Sequence, residues 1–346
     1  VVWLKNGSGL IAPIGEGTQG TQVWFISQPD GAAKRVTNDL NGYGAVSFGV
    51  SGDSKTIVTV QSTPSYQIWT SVFGEPTAQS VEITHGEGDG TGGVDWSPDD
   101  RIVYFTDTGE SRELVSVKLD GTEMRSILKQ SEPASDPAVA ADGKTIYFMS
   151  MRSGTPHIWR INTDGTDLKQ ITSGDFADFH PTVSPDGKWV LFCSWRSGTQ
   201  VYWKVPSEGG EAERVTEVRT PLARFSPDGK SIATVQFVKG GTPPWQLAVV
   251  TIDGSSATKI IAPPTHFNLR WSSIAWTMDG RAIIVNSDQR GVGNLWSQPI
   301  DGSAPKQITN FTSDLISNFA ISHDGKRLAI SRGNSSLDVV LIKNFH

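Results

Sequence analysis

One plan recurs eight times along the 346 residues of this chain. A short apolar strand runs into a Ser-Pro-Asp-Gly-like turn, and a second strand follows. A third strand, centred on Ile-Trp or its equivalent, leads through an Asp-Gly turn into a strand ending in Ile-Thr or Val-Thr. The clearest copy runs from Asp178 to Thr216, with its turn at Ser184-Pro185-Asp186-Gly187. The Asp or Asn of that turn falls at Asn6, Asp53, Asp99, Asp142, Asp186, Asp228, Asp279 and Asp324. The spacings are 47, 46, 43, 44, 42, 51 and 45 residues.

Four short strands with three tight turns need about this much chain, and a period of ~40–50 residues marks propeller blades. The expected fold is therefore all-β, a β-propeller of four-stranded antiparallel blades. Eight blades fit the count, and seven fit if the first unit belongs elsewhere. Residues 1–346 read as a single domain, since no linker separates the units. Asp-Gly pairs, as at Asp30-Gly31, Asp120-Gly121, Asp164-Gly165 and Asp301-Gly302, suit tight reversals because both residues tolerate positive φ. Trp24, Trp69, Trp159 and Trp296 recur in third strands, where large rings pack between neighbouring sheets. The last unit ends on Val339-Val340-Leu341-Ile342 and lacks its fourth strand. Either that blade is three-stranded or residues upstream of Val1 complete it, and the second alternative would make the chain a piece of something longer. The opening Val1-Val2-Trp3-Leu4 reads as a strand rather than a leader.

The formal net charge of -6 argues against nucleic acid, which favours a basic surface. Cys193 is the only cysteine, so no intrachain disulfide forms, and its apolar run Trp189-Val190-Leu191-Phe192 marks it as a buried core thiol. No run reaches the ~18 apolar residues of a membrane helix, so no membrane insertion is expected.

Partial matches to familiar reaction centres occur along the chain. Gly15, Gly17, Gly20 and Gly88, Gly90, Gly93 match a dinucleotide fingerprint, but strands follow each where that site needs a helix. His85, His157, His180, His266, His323 and His346 show no metal-ligand spacing. Asn162, Asp164 and Asp167 coincide with a repeated hairpin turn and lack the length of a calcium loop. With no centre legible, the expectation is that the chain is not an enzyme.

The string His180-Pro181-Thr182-Val183-Ser184-Pro185-Asp186-Gly187 and the Ile158-to-Gly165 string resemble the repeats of TolB-type propellers, also called PD40 or WD40-like. The stretch Gly291 to Pro299 and the ending from Ser331 to Ile342 are similar to C-terminal propellers of certain bacterial, notably acidobacterial, proteins. There the propeller follows a serine/threonine kinase or winged-helix domain. The resemblance implies a periplasmic or otherwise extracytoplasmic location. It also implies a protein partner or an upstream domain of the same polypeptide.

Loops joining one blade's outer strand to the next blade's inner strand open beside the central channel. They carry Asp89, Asp136, Asp175, Phe176, Asp178, Phe179, His180, His266, Asn268 and Asp314. These are the candidate residues for binding a ligand or partner at the channel mouth. A ring of such carboxylates suits a cation such as calcium, and no other cofactor is expected. Each carboxylate equally suits capping its own loop. Arg152, Arg196, Arg290 and Arg332 recur after second strands and read as structural ties. The expected function is a non-catalytic sensor or protein-interaction scaffold. The alternatives are a propeller-scaffold enzyme such as a polysaccharide lyase, or a structural subunit of a larger complex.

Overall fold

The computed structural model describes residues 1–15, 21–37, 42–75, 80–107, 111–217, 219–252, 259–267 and 273–345. Gly17, Gly20, Asn268 and His346 lie outside them. Among the described residues every regular element is a β-strand, and no helix is long and apolar enough to cross a membrane.

The first sheet is β1 (Val2–Trp3), β2 (Gly9–Gly15), β3 (Thr21–Ser27) and β4 (Ala33–Arg35). Next come β5 (Gly42–Val50), the 17-residue β6 (Thr56–Val72) and β7 (Val81–Glu82). Five four-stranded sheets follow. They are β8 to β11 (Val94–Trp96, Arg101–Asp107, Arg112–Lys118, Arg125–Gln130) and β12 to β15 (Ala134–Val139, Thr145–Ser150, His157–Asn162, Lys169–Gln170). Then come β16 to β19 (Asp178–Val183, Trp189–Ser194, Val201–Pro206, Glu213–Arg214) and β20 to β23 (Ala223–Phe225, Ser231–Phe237, Trp245–Thr251, Lys259–Ile261). The fifth is β24 to β27 (Ile274–Trp276, Ala282–Gln289, Val292–Pro299, Lys306–Gln307). The chain closes with β28 (Leu315–Ile321) and the 17-residue β29 (Arg327–Lys343).

The turns explain the strands. In Ser184-Pro185-Asp186-Gly187, the Ser184 hydroxyl donates to Asp186 at 2.7 Å and accepts from the Trp189 amide at 3.0 Å. Gly187, at φ +71°, donates its amide to the Ser184 carbonyl at 2.8 Å. Ser226 with Asp228, and Ser322 with Asp324, repeat the arrangement. The terminal threonine, in the units that have one, also has a task. Its Oγ1 accepts the amide of the neighbouring third strand, as in Thr172 with Ile158 (3.0 Å), Thr216 with Tyr202 (2.8 Å) and Thr309 with Leu295 (2.9 Å).

The repeated arginines lie over third-strand aromatics. Arg152 stands over Trp159 at 5.0 Å, Arg196 over Trp203 at 5.5 Å, and Arg332 over Trp69 at 5.4 Å. Arg290 instead sits exposed in a turn at φ +55°. The Arg332 stack joins residues from distant parts of the chain. Strand β29 pairs with β6 from Arg327↔Val72 to Lys343↔Thr56, and β7 pairs with β6 at Trp69↔Glu82. The order β28, first half of β29, second half of β6, β7 is thus a complete blade made from two separated segments.

This blade closes a ring. Strand β8 packs beside β12, β12 beside β16, β16 beside β20, β20 beside β24, and β28 returns to β8. Ser273, just ahead of β24, donates to Asn318 on β28 at 2.7 Å. Across the final seam Asn318 donates to the Gly90 and Thr91 carbonyls, and Trp96 Nε1 donates to the Ala320 carbonyl at 3.2 Å. The seam core includes Ile68, Trp96, Tyr104, Val115 and Ala329, all buried.

Among the described residues the eight repeats therefore occupy seven sheets, with six inner strands around the channel. The eightfold ring expected from the repeat count is reduced in two ways. Units two and eight merge, because β6 and β29 run straight where a hairpin turn was expected. Units four and five turn here through Arg-Ser-Gly, with Gly154 and Gly198 at positive φ; unit two has Ser62-Thr63-Pro64-Ser65 instead. Gly333 permits the straight pairing, since a Cβ there would meet the Ser65 carbonyl oxygen at 1.9 Å. The first unit lies off the ring. Its Leu4, Ile11 and Val23 pack against Tyr43, Ile57, Val340 and Ile342 of the β5–β6–β29 extension. The other face of that extension leaves Leu337, Val339 and Leu341 exposed.

Candidate functional site: the central channel

Each inner strand turns alternate side chains toward the axis. The residue two positions ahead of the first turn is Asp95, Ala138, Thr182, Arg224, Ala275 or Ala320, and all six line one cavity of about 320 Å³. Met278, His323, Pro185 and Pro227, from the turns, also line it. Four small residues leave the lumen open. The two charged ones stand on β8 and β20, three blades apart and so on opposite walls.

Asp95 is held rigidly. Its Oδ1 accepts the Trp96 amide and its Oδ2 the Val139 amide, each at 2.8 Å. Burial pushes its pKa up, against the pull of those amides and the nearby charges of His323 and Arg224. Arg224 donates Nη1 to the Ala223 carbonyl at 3.0 Å, and among the described residues no carboxylate lies within 4.0 Å of it.

Toward the other end of the channel stand Asp136 on β12 and His180 on β16, with Nδ1 of the histidine 3.1 Å from Oδ1 of the acid. Both residues sit at positive φ, 58° and 51°, where the pairing of their strands slips register. Such bulges re-aim side chains. The His180 side chain keeps 36% of its surface accessible. Burial works against its charged form, but the Asp136 carboxylate outweighs that and raises its pKa. Burial likewise opposes the charge of Asp136, and His180, the Ser135 hydroxyl and the charge of Arg224 overcome it, so this carboxyl is lowered.

The remaining candidates do not converge. Asp178 is fully buried, with both oxygens 2.8 Å from Arg196 and His157 at 3.4 Å. It ties its blade together and offers nothing to the lumen. Asp89 caps its own loop, accepting from the Gly86 amide and the Thr106 hydroxyl. Asp314 is engaged by Arg332 at 3.1 Å and Asn334 at 2.7 Å. Phe179 packs on the core beside the His180 ring, while Asp175, Phe176 and His266 are exposed. Among the described residues no three His, Cys, Asp or Glu side chains gather as a metal-ligating set. Sequence reasoning missed Asp95, Arg224 and His323. Aligning the units on their first turns would have exposed the first two, since only these two of the six lumen positions carry charge.

Residues 130–262 match the family described as the TolB beta propeller domain. Comparison with curated proteins finds no match. A putative TolB from Agrobacterium tumefaciens is similar at TM-score 0.59 and 18% identity, covering 78% of this chain and 98% of that one. TolB from Acinetobacter baumannii is similar at 0.55 and 17%, covering 95% and 80%. An oligogalacturonate lyase from Vibrio parahaemolyticus is similar at 0.51 and 14%, covering 84% and 96%. This last likeness overturns the expectation that the chain is not an enzyme. An enzyme shares the fold, and its working groups can come from separate blades, so the lack of a linear motif says nothing against catalysis. From its repeats to its neighbours in shape, the chain is an all-β propeller, and its residues 130–262 match the TolB beta propeller family.

Proposed function

We propose that this protein is a binding propeller, working outside the cytoplasm, that takes a small polar ligand or the terminus of a partner chain into its channel. The observation that carries this reading is the layer of four small residues between two opposed charges, Asp95 and Arg224, in a cavity of about 320 Å³. Pockets for small ligands begin at about this size and pair an open volume with a few placed polar groups. The TolB likeness supports the extracytoplasmic setting, and fractionation of the native cells tests it.

Met278 lines the cavity and is one of four methionines, so methyl-labelled methionine gives a direct nuclear magnetic resonance reporter. The protein is titrated with tripeptides, neutral sugars, lactones and oligogalacturonate with manganese. Some of these are expected to move the Met278 signal and leave exposed Met124 unmoved, and Ala275→Trp should abolish the response by filling the lumen. A Met278 signal indifferent to the whole panel would sink the reading. Formation of an unsaturated product from oligogalacturonate, lost in Arg224→Gln, would turn it into a catalytic one.

A further inference from the structure

Three arginines near the ring's axis and rims are paired with carboxylates. Arg196 is paired with Asp178, Arg332 with Asp314, and Arg112 with Asp107. Among the described residues, Arg224 hydrogen-bonds only the carbonyl of its own neighbour. A guanidinium carries five donors in a planar fork, so most of its hydrogen-bonding capacity is unspent on protein groups. It lines the cavity in the same layer as Ala138, Thr182, Ala275 and Ala320, which leave room beside it. Asp95 and Asp136 act on this cation only from beyond 4.0 Å, so a ligand that brings a carboxylate into direct contact gains a charge-assisted hydrogen bond that the protein does not make. The opposite wall is fixed too. Asp95 is anchored by two backbone amides, so it cannot swing across to neutralise Arg224.

We infer that Arg224 reads a carboxylate, and that the ligand of this channel carries an acid group at one end and an O–H or N–H donor, facing Asp95, at the other. This rests on the channel-binding reading above and specifies its chemistry. The fixed positive charge of Arg224 also works against a bare divalent cation in this layer. Two sources present such a carboxylate: a small hydroxy or amino acid, and the free C-terminus of a partner chain.

The test uses the methyl-labelled protein and two matched pairs of probes, lactate with lactamide and N-acetyl-diglycine with its amide. Each acid should move the Met278 signal with an affinity about tenfold above that of its amide, the margin a charge-assisted hydrogen bond provides. Arg224→Gln should erase that margin, and Arg224→Lys should keep part of it. Unchanged signals of Met149 and Met151 establish that the variants are folded. The tighter acid identifies the source, small molecule or chain end. Equal binding of acids and amides, or an Arg224→Gln protein that still prefers acids, overturns the inference and leaves the channel reading standing. Silence of Met278 toward all four probes overturns it as well; the broader panel then decides whether the channel reading falls with it.

Discussion

Asp178 and Asp136 belong to inner strands one blade apart, yet they do different work. Asp178 is sealed under Arg196 and His157, so Asp178→Ala leaves a partly buried guanidinium without its carboxylate and should cost about 3 kcal/mol in chemical denaturation. Asp136 faces water with His180, and its contribution varies with pH. A raised histidine adds stability that is full below its unfolded pKa near 6.5 and fades as pH climbs through the folded value. A lowered aspartate adds stability that is full above about pH 4 and fades as pH falls through its folded value. The pair is therefore strongest from about pH 4 to just above 6.5. Asp136→Asn should lower unfolding free energy by about 1 kcal/mol there and by less at alkaline pH. Cys193 offers a quiet reporter. Burial pushes its thiol up to about 12, so a thiol reagent at mildly alkaline pH should label it only after unfolding. Its burial was legible from its apolar run. The fates of the two acids were not, because they depend on partners 18 and 44 residues away.

At the level of strands, the repeated Ile-Thr and Val-Thr endings were plain in the sequence, but their purpose was not. The threonine hydroxyl supplies the acceptor that the short outer strand would otherwise leave missing from its neighbour. Thr216→Val keeps the shape and strands the Tyr202 amide, which should cost about 1–3 kcal/mol in thermal or denaturant unfolding. Turns told a similar story. Ser-Pro-Asp-Gly announced each first reversal correctly, since its bonds are local. The long straight strands were legible only as an absence, the missing glycine turn in unit two, and an absence names no partner.

For the whole molecule, the repeat disclosed the propeller, while counting units did not disclose which strands share a sheet. Pairing between residues 56–72 and 327–343 lies beyond any local pattern. Gly333→Val tests it. The added side chain collides with the Ser65 carbonyl, so amides of β6 and β29 should lose hydrogen-exchange protection while β16 to β19 keep theirs. Protection that is unchanged along β6 would show the pairing to be otherwise secured.

The way the ring is fastened bears on how it is made. Trp69 must wait for Ile330, its partner across the seam, until nearly all the intervening chain exists. Joining ends that far apart costs about 5 kcal/mol of chain entropy before any contact repays it. The blades from β8 to β27, built from neighbours in sequence, can assemble without that delay. The seam is therefore expected to close last in folding, so that the native channel forms when β6 and β29 meet.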